Sequence, residues 1–230
     1  MAIFADPIFY GRWPDAVVAG AGSALPPLDP KVKGTHSGVY FMNHYTTKWT
    51  WCHDGDCGSS VADGGGYFAG ANFSSSGRNP VTGKNIGTAS SNGWLYAYGP
   101  GLAKIQSWLH ARYPEAAFVV TENGWGNAST SEAEDVKDLV RCNYYRSYVG
   151  NMASNAVANK IDVLGYFAWS IMDNYEWADG FSTRFGMTYV DYETQVRTPK
   201  LSMRWFKSVT SLKELPAGGV DALPKCEDFL

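Results

Sequence analysis

Within nine residues, Trp169-Ser170-Ile171-Met172-Asp173-Asn174-Tyr175-Glu176-Trp177 sets two carboxylates between two tryptophans. Such a mixture is costly to bury unless the acids are paired. It suits a sugar, whose apolar face packs on a flat ring while its hydroxyls donate to carboxylates. The plainer alternative is an aromatic loop that closes the end of a sheet. A third carboxylate, Glu122, stands in Val120-Thr121-Glu122-Asn123-Gly124, after a β-branched run and before an Asn-Gly turn. A rigid strand end there would aim it into whatever pocket the sheet forms; the alternative is a surface glutamate at a turn. Asn43-His44-Tyr45 follows another short apolar run. A tyrosine hydroxyl near a carboxylate can hold it ionised and aimed, although this string, taken alone, reads as structural.

The elements that must position these groups are legible in outline. Val39–Met42, Phe118–Val120 and Val163–Trp169 are short continuous apolar runs, as expected of parallel strands covered on both faces. Each ends in polar or aromatic residues, at the end where α/β folds carry their sites. Pro100 can open a helix carrying Leu102, Ile105 and Leu109, which Pro114 ends. Ser131-Glu132-Ala133-Glu134 fits a capping box ahead of a long helix with a buried stripe of Val136, Leu139, Val140, Tyr144 and Tyr148. A last helix starts near Pro199 and buries Leu201, Trp205 and Val209. Residues 1–30, rich in proline, read as an irregular lead-in with at most a short helix near Pro14 to Ala19. The glycine-rich stretch from Trp51 to Gly101 reads as one long loop.

Composition bounds the function. Hydrophobic residues make 45% of the 230 and charged residues 18%, which excludes a disordered chain. A net charge of −3 with no basic stripe argues against a nucleic-acid partner. No apolar run is long enough for a transmembrane helix. No targeting signal is readable, so a cytoplasmic location is expected if Met1 is the native start. Asn72-Phe73-Ser74 and Asn127-Ala128-Ser129 are glycosylation sequons that matter only in a secreted chain. Cys52 and Cys57 could close a short loop as a disulfide, remain free thiols or take part in a metal site; the stretch offers few ligands for zinc.

Taken together, Asn43-His44-Tyr45-Thr46-Thr47, Val120-Thr121-Glu122-Asn123-Gly124 and Trp169 through Asp191 resemble glycoside hydrolase family one, the β-glucosidase family. Phe4-Ala5-Asp6-Pro7 is similar to the segment before that family's sixth barrel strand. The resemblance covers nearly the whole chain, with the motifs in the family's order. It implies an α/β fold: a partial (β/α)8 TIM barrel with the equivalents of the last three strands and their helices, residues 1–230 forming one domain. It implies retaining hydrolysis of terminal β-D-glucosyl residues, with no cofactor and no metal. In retaining enzymes two carboxyl groups lie about 5–5.5 Å apart, one attacking the anomeric carbon and the other protonating the leaving oxygen. By the resemblance, Glu122 is the nucleophile, and Tyr45 hydrogen-bonds it and the ring oxygen. Asn43 sits beside the same subsite, Trp169 is the platform under the sugar, Glu176 and Trp177 hold the distal hydroxyls, and Phe185 lines the pocket.

One departure is large. Family members are roughly twice this length, and their acid/base glutamate sits in an Asn-Glu-Pro motif that occurs nowhere in this sequence. Asp173 or Glu176 could substitute imperfectly, Glu176 being the poorer choice because the resemblance gives it a hydroxyl-binding role. Three strands also leave two bare sheet edges, which template association. The expected partners are therefore a β-glucoside or oligosaccharide, together with a second copy or a companion chain that covers the open barrel. The competing readings are a carbohydrate-binding remnant without turnover and a fragment that pairs with a companion chain.

Overall fold

The computed structural model describes residues 2–52, 73–128, 131–212, 214–216 and 218–229. Its centre is a parallel sheet of β1 (Val39–Asn43), β2 (Ala117–Asn123) and β3 (Val163–Ala168), with β2 between the other two. Four helices matter to the site: α1 (Ala2–Tyr10), α2 (Gly99–Arg112), α3 (Leu139–Asn159) and α4 (Leu201–Thr210). Strand alternation gives β2 two different faces. Phe118 and Val120 are buried in the core with Leu102, Leu109, Tyr144, Tyr148 and Trp205 from the helices. The opposite face carries Val119 of β2, and Gly165 lies beside it on β3. Phe41 on β1 and Phe167 on β3 are each 60% exposed. Among the described residues the sheet closes on no further strand, and β1 and β3 are its edges.

The three strands, α2 and α4 fall where the apolar runs place them, and α2 has Pro100 in its first turn. Other expectations are corrected. The lead-in is helical over Ala2–Tyr10, although Pro7 lies inside that helix and lacks a backbone donor. Tertiary contact holds it: Asp6 is fully buried, bound by both Arg112 Nε at 2.7 Å and the Tyr113 hydroxyl at 2.6 Å, with Arg112 Nη2 on its second oxygen. Ser131 does accept from the Glu134 N–H at 3.4 Å, but it caps only the single turn Glu132–Asp135. The long helix starts afresh at Leu139, where Asp138 turns its carboxylate to Arg141 and Ser202. Val140 is 51% exposed, so it leaves the expected stripe; Arg141, Cys142, Tyr145, Val149 and Met152 join Tyr144 and Tyr148 in the buried face.

The glycine-rich stretch is not one loop. Trp49–Cys52 pairs with Phe73–Ser76, and Thr88–Ala89 with Tyr96–Ala97. Cys57, the asparagine of one sequon and the serine of the other lie outside the described residues, and with them the Cys52–Cys57 alternatives. A disulfide that the spacing did not suggest joins Cys142 of α3 to Cys226, 84 residues on. It pins the C-terminal turns to the first turn of α3; further along that helix Gly150 lets the chain approach, since a Cβ there would lie 2.6 Å from Val220 Cα.

Candidate active site

The site is built at the C-terminal ends of the three strands, and an irregularity in β2 aims its central residue. Val120 pairs with Met42 and Tyr166, yet Asn43 pairs with Glu122 and Ala168 with Asn123. One extra residue is thus accommodated in β2 on both sides, a bulge of the kind that redirects side chains beside active sites. Regular alternation would send Glu122 the way of Val120, into the helix layer. Instead Asn123 turns inward, fully buried, to the Tyr144 hydroxyl of α3 at 2.8 Å. Glu122 is thereby left on the open side of the sheet.

Tyr45, just beyond β1, donates its hydroxyl to Glu122 Oε2 at 2.7 Å. Burial and then the bond to Glu122 raise the phenol well above its ordinary range, so Tyr45 remains a donor. Thr121 and Asn43 join β2 to β1 through their side-chain oxygens, 2.6 Å apart. Phe185 is buried, seated against Gly126, and meets the Tyr45 ring edge-on at 6.0 Å and 89°. The Trp169 N–H continues the β2 pairing by donating to the Asn123 carbonyl at 2.7 Å.

Glu176 shares this electrostatic neighbourhood. Burial raises its carboxyl; a hydrogen bond from the Trp169 side chain opposes that, while the charges of Asp179 and Glu122 add to it. Its charge in turn bears on Tyr45. The structure therefore brings together Glu122, Tyr45, Asn43, Phe185, Trp169 and Glu176. Trp177 stands apart: it is 78% exposed, with a left-handed φ of 43°, and adjoins the group through its chain neighbour Glu176.

Asp173 is removed from the possible proton donors. Its side chain is fully buried and holds Arg184 Nη1 at 2.7 Å and Lys200 Nζ at 2.8 Å. It also accepts the N–H groups of Gly186 at 3.0 Å and Val190 at 3.3 Å. Both oxygens are committed, and the residue staples the loop after β3 to α4. Burial, with the Arg141 charge, pushes Lys200 down to about 8 even though Asp173 works in the other direction.

Two groups at the site carried no usable sequence signal. Trp94, from the glycine-rich stretch, lies edge-on to Tyr45 at 6.0 Å and is 42% exposed. The tyrosines of α3 read as core, yet their hydroxyls hold the strand ends: Tyr144 and Tyr148 donate to the Tyr45 carbonyl at 2.8 and 3.3 Å, and Tyr145 to the Trp169 carbonyl at 2.9 Å. Among the described residues, no three His, Cys, Asp or Glu side chains gather as a metal ion would need, and no helix is long and apolar enough to cross a membrane.

The fold recurs in known proteins. The family model of glycosyl hydrolase family 1 matches residues 1–215. Beta-glucosidase 1B of Phanerodontia chrysosporium is 38% identical over 226 residues, covering 93% of this chain and 39% of that protein. Beta-glucosidase 34 of Oryza sativa subsp. japonica is 35% identical over 215 residues, covering 90% and 41%. A family 1 β-glucosidase of Humicola insolens, solved in complex with glucose, superposes with a TM-score of 0.78 at 34% identity, over 90% of this chain and 43% of that one. A rice β-glucosidase mutant, solved in a covalent complex with Glc, gives 0.76 at 33% identity over 90% and 44%. The chain thus spans about two fifths of the length of the curated relatives it matches.

Proposed function

The chain belongs to glycosyl hydrolase family 1, and from that premise we propose that it works as part of a retaining β-glucosidase with Glu122 as the nucleophile. The three parallel strands are a portion of that family's TIM barrel. The observation that carries the reading is the Tyr45 hydroxyl 2.7 Å from Glu122 Oε2, at adjacent strand ends. A tyrosine there steadies the carboxylate before attack. In the first step a Glu122 oxygen bonds to the anomeric carbon as the bond to the leaving oxygen breaks, and that oxygen takes a proton from a general acid. In the second step water, deprotonated by the same group, attacks the anomeric carbon and releases Glu122. The covalent Glc complex of the rice relative supports this two-step course. Trp169 stacks under the sugar ring, Asn43 and Phe185 line the subsite, and Glu176 with Trp177 accepts and covers the distal hydroxyls.

The general acid is the part this sequence does not supply. It contains no Asn-Glu-Pro motif, and Asp173 is spent on Arg184 and Lys200. The bare edges of β1 and β3 and the exposed Phe41 and Phe167 support a further polypeptide over the open sheet face, a companion chain or a second copy. An aryl 2-deoxy-2-fluoro-β-glucoside tests the reading, because its activated leaving group needs little protonation. Mass spectrometry should find one sugar attached to the peptide carrying Glu122; a label elsewhere, or none, overturns the assignment. The missing acid also favours a second reading, a sugar-binding remnant without turnover. That reading expects cellobiose to bind while no glucoside is trapped.

A further inference from the structure

We infer that Tyr144 of α3 is a positioning residue that sets how the Tyr45 phenol meets Glu122. The inference rests on the role proposed for Glu122. The contacts form a closed ring. Glu122 is followed in the chain by Asn123, whose Nδ2 donates to the Tyr144 hydroxyl at 2.8 Å. That hydroxyl donates its own proton to the Tyr45 carbonyl at 2.8 Å. At its other end, Tyr45 donates to Glu122 Oε2 at 2.7 Å. Tyrosine and carboxylate are therefore held to each other from both sides, once directly and once through a residue that touches neither the substrate nor Glu122.

The donors and acceptors in this ring are fully allocated. A phenol has one proton, and Tyr144 gives its proton to Tyr45. Asn123 Nδ2 has two: the second goes to the His44 carbonyl at 2.5 Å, while the Tyr166 hydroxyl donates to Oδ1. A flipped amide would set oxygen against the His44 carbonyl, so the orientation of Asn123 is fixed. Asn123 is fully buried and Tyr144 is 2% exposed, which leaves no water to replace a lost partner. Tyr144 stacks on Tyr148 at 4.1 Å between ring centroids, and the Tyr148 hydroxyl donates to the same Tyr45 carbonyl at 3.3 Å. The backbone of Tyr45 is thus seated on two rings of one rigid helix, and the ring nearer in hydrogen-bond distance belongs to Tyr144. A core residue would have needed only the ring; the Tyr144 hydroxyl ties α3 to Tyr45 and Asn123 at once.

The test uses the whole chain and two readouts. In protein labelled with 3-fluorotyrosine, the Tyr45 fluorine resonance is identified by its loss in Tyr45→Phe. Tyr144→Phe should move it toward its position in Glu122→Gln, and Tyr148→Phe should move it less. Tyr113→Phe, which removes an equally buried phenol at Asp6, should leave it in place. A Tyr45 resonance unmoved in both α3 variants overturns the inference, and the second variant keeps the test alive if the first does not fold. The other readout is trapping by the fluoro-glucoside, split into binding and reaction. Tyr144→Phe should slow the reaction step about tenfold with the binding constant unchanged. Added to Tyr45→Phe, it should cost less than it does alone, because its action runs through the Tyr45–Glu122 contact. Multiplying losses would mean a general packing effect and also overturn the inference. If the unaltered protein is not trapped at all, the role of Glu122 fails, while the fluorine signal still decides that of Tyr144.

Discussion

Tyr45 and Glu122 are 77 residues apart in sequence, yet the phenol of one donates to the carboxylate of the other at 2.7 Å. Neither residue reaches this position by regular strand geometry. Tyr45 lies beyond the end of β1, with its carbonyl anchored by tyrosines of α3. Glu122 reaches the open face because one residue of β2 is accommodated out of register. That bond gives the half-buried Tyr45 phenol its acceptor and offsets part of the cost of burying it.

Glu122→Gln removes the negative charge while keeping nearly the same volume, and the amide can still accept from Tyr45. We expect covalent trapping by the fluoro-glucoside to be abolished, with the unfolding midpoint shifted by under about 1 kcal/mol. Intact-protein mass spectrometry beside urea denaturation measures both. Undiminished labelling of the variant would remove Glu122 from the mechanism.

Asp173→Asn should behave in the opposite way, as a stability variant. The substitution leaves Arg184 and Lys200 buried opposite a neutral group. Breaking such a buried pair costs about 3–5 kcal/mol, and the urea midpoint should fall accordingly. A stable variant with an altered pH–rate profile would instead return Asp173 to the acid/base chemistry.

How much of this was legible beforehand divides along the kind of signal each residue carried. Phe118-Val119-Val120 and Val163–Ala168 are strands because continuous β-branched and aromatic runs can be little else in a sheet covered by helices. Leu201, Trp205 and Val209 fall on one face of α4 by simple spacing and are buried there. The helix at Ala2–Tyr10 was not legible, since its reason for existing is Asp6 meeting Arg112, more than 100 residues away. Asp173 and Glu176 looked alike as two acids in an aromatic loop. Only the arrival of Arg184 and Lys200 separates a structural clamp from a half-buried carboxyl near Glu122. Trp94 sits among glycines and serines with no periodicity, so nothing local indicated that it meets Tyr45. The bulge in β2 is equally silent: Thr121-Glu122-Asn123 reads as the polar end of a strand before a turn, and its register is set by the partners on either side.

His44 gives a pH prediction. Its ring is largely buried beside Tyr148, its Nδ1 finds no partner among the described residues, and burial pushes it down to about 4. Between about 4 and 6.5 the unfolded chain binds a proton that the folded one does not. The contribution of His44 is therefore fully present above pH 6.5 and is lost as pH falls toward 4. The span corresponds to about 3 kcal/mol at about 1.4 kcal/mol per unit. His44→Phe should flatten the stability curve across this window by one proton. An unchanged slope in urea titrations at pH 4.5, 5.5 and 6.5 would show that the imidazole titrates normally.

Trp169→Ala separates a platform from a core residue. The side chain is half-buried, and the Tyr145 hydroxyl and Asn123 carbonyl hold its backbone whatever the side chain is. Sugar affinity should fall at least tenfold while stability falls by less than the ~3–5 kcal/mol typical of a tryptophan removed from a core. Calorimetric unfolding next to glucose titration decides it, and a large stability loss with unchanged affinity would make Trp169 structural.

The proposed absence of a proton donor is tested by the leaving group. With Asp173 held by Arg184 and Lys200, the carboxyl that shares the surroundings of Glu122 among the described residues is Glu176, whose pKa is raised by burial. A raised carboxyl is the right kind of general acid in principle. Glu176, however, shares a hydrogen bond with Trp169, the proposed sugar platform, which fits the hydroxyl-binding role proposed for it better than proton donation. Losing general acid catalysis costs about 10²–10⁴-fold, and the loss falls on poor leaving groups. An activated aryl β-glucoside should therefore be cleaved with one burst of aryl alcohol, whereas cellobiose should be turned over slowly or not at all. The pH dependence of the burst should show a single acidic limb, the ionisation of one nucleophile, in place of the bell that an acid and a base give together. Glu176→Gln should leave that limb in place and weaken sugar binding. Rapid cellobiose turnover with a bell-shaped profile, from protein shown by mass to contain this chain alone, would mean that the donor lies within these 230 residues; loss of the basic limb in Glu176→Gln would then identify it.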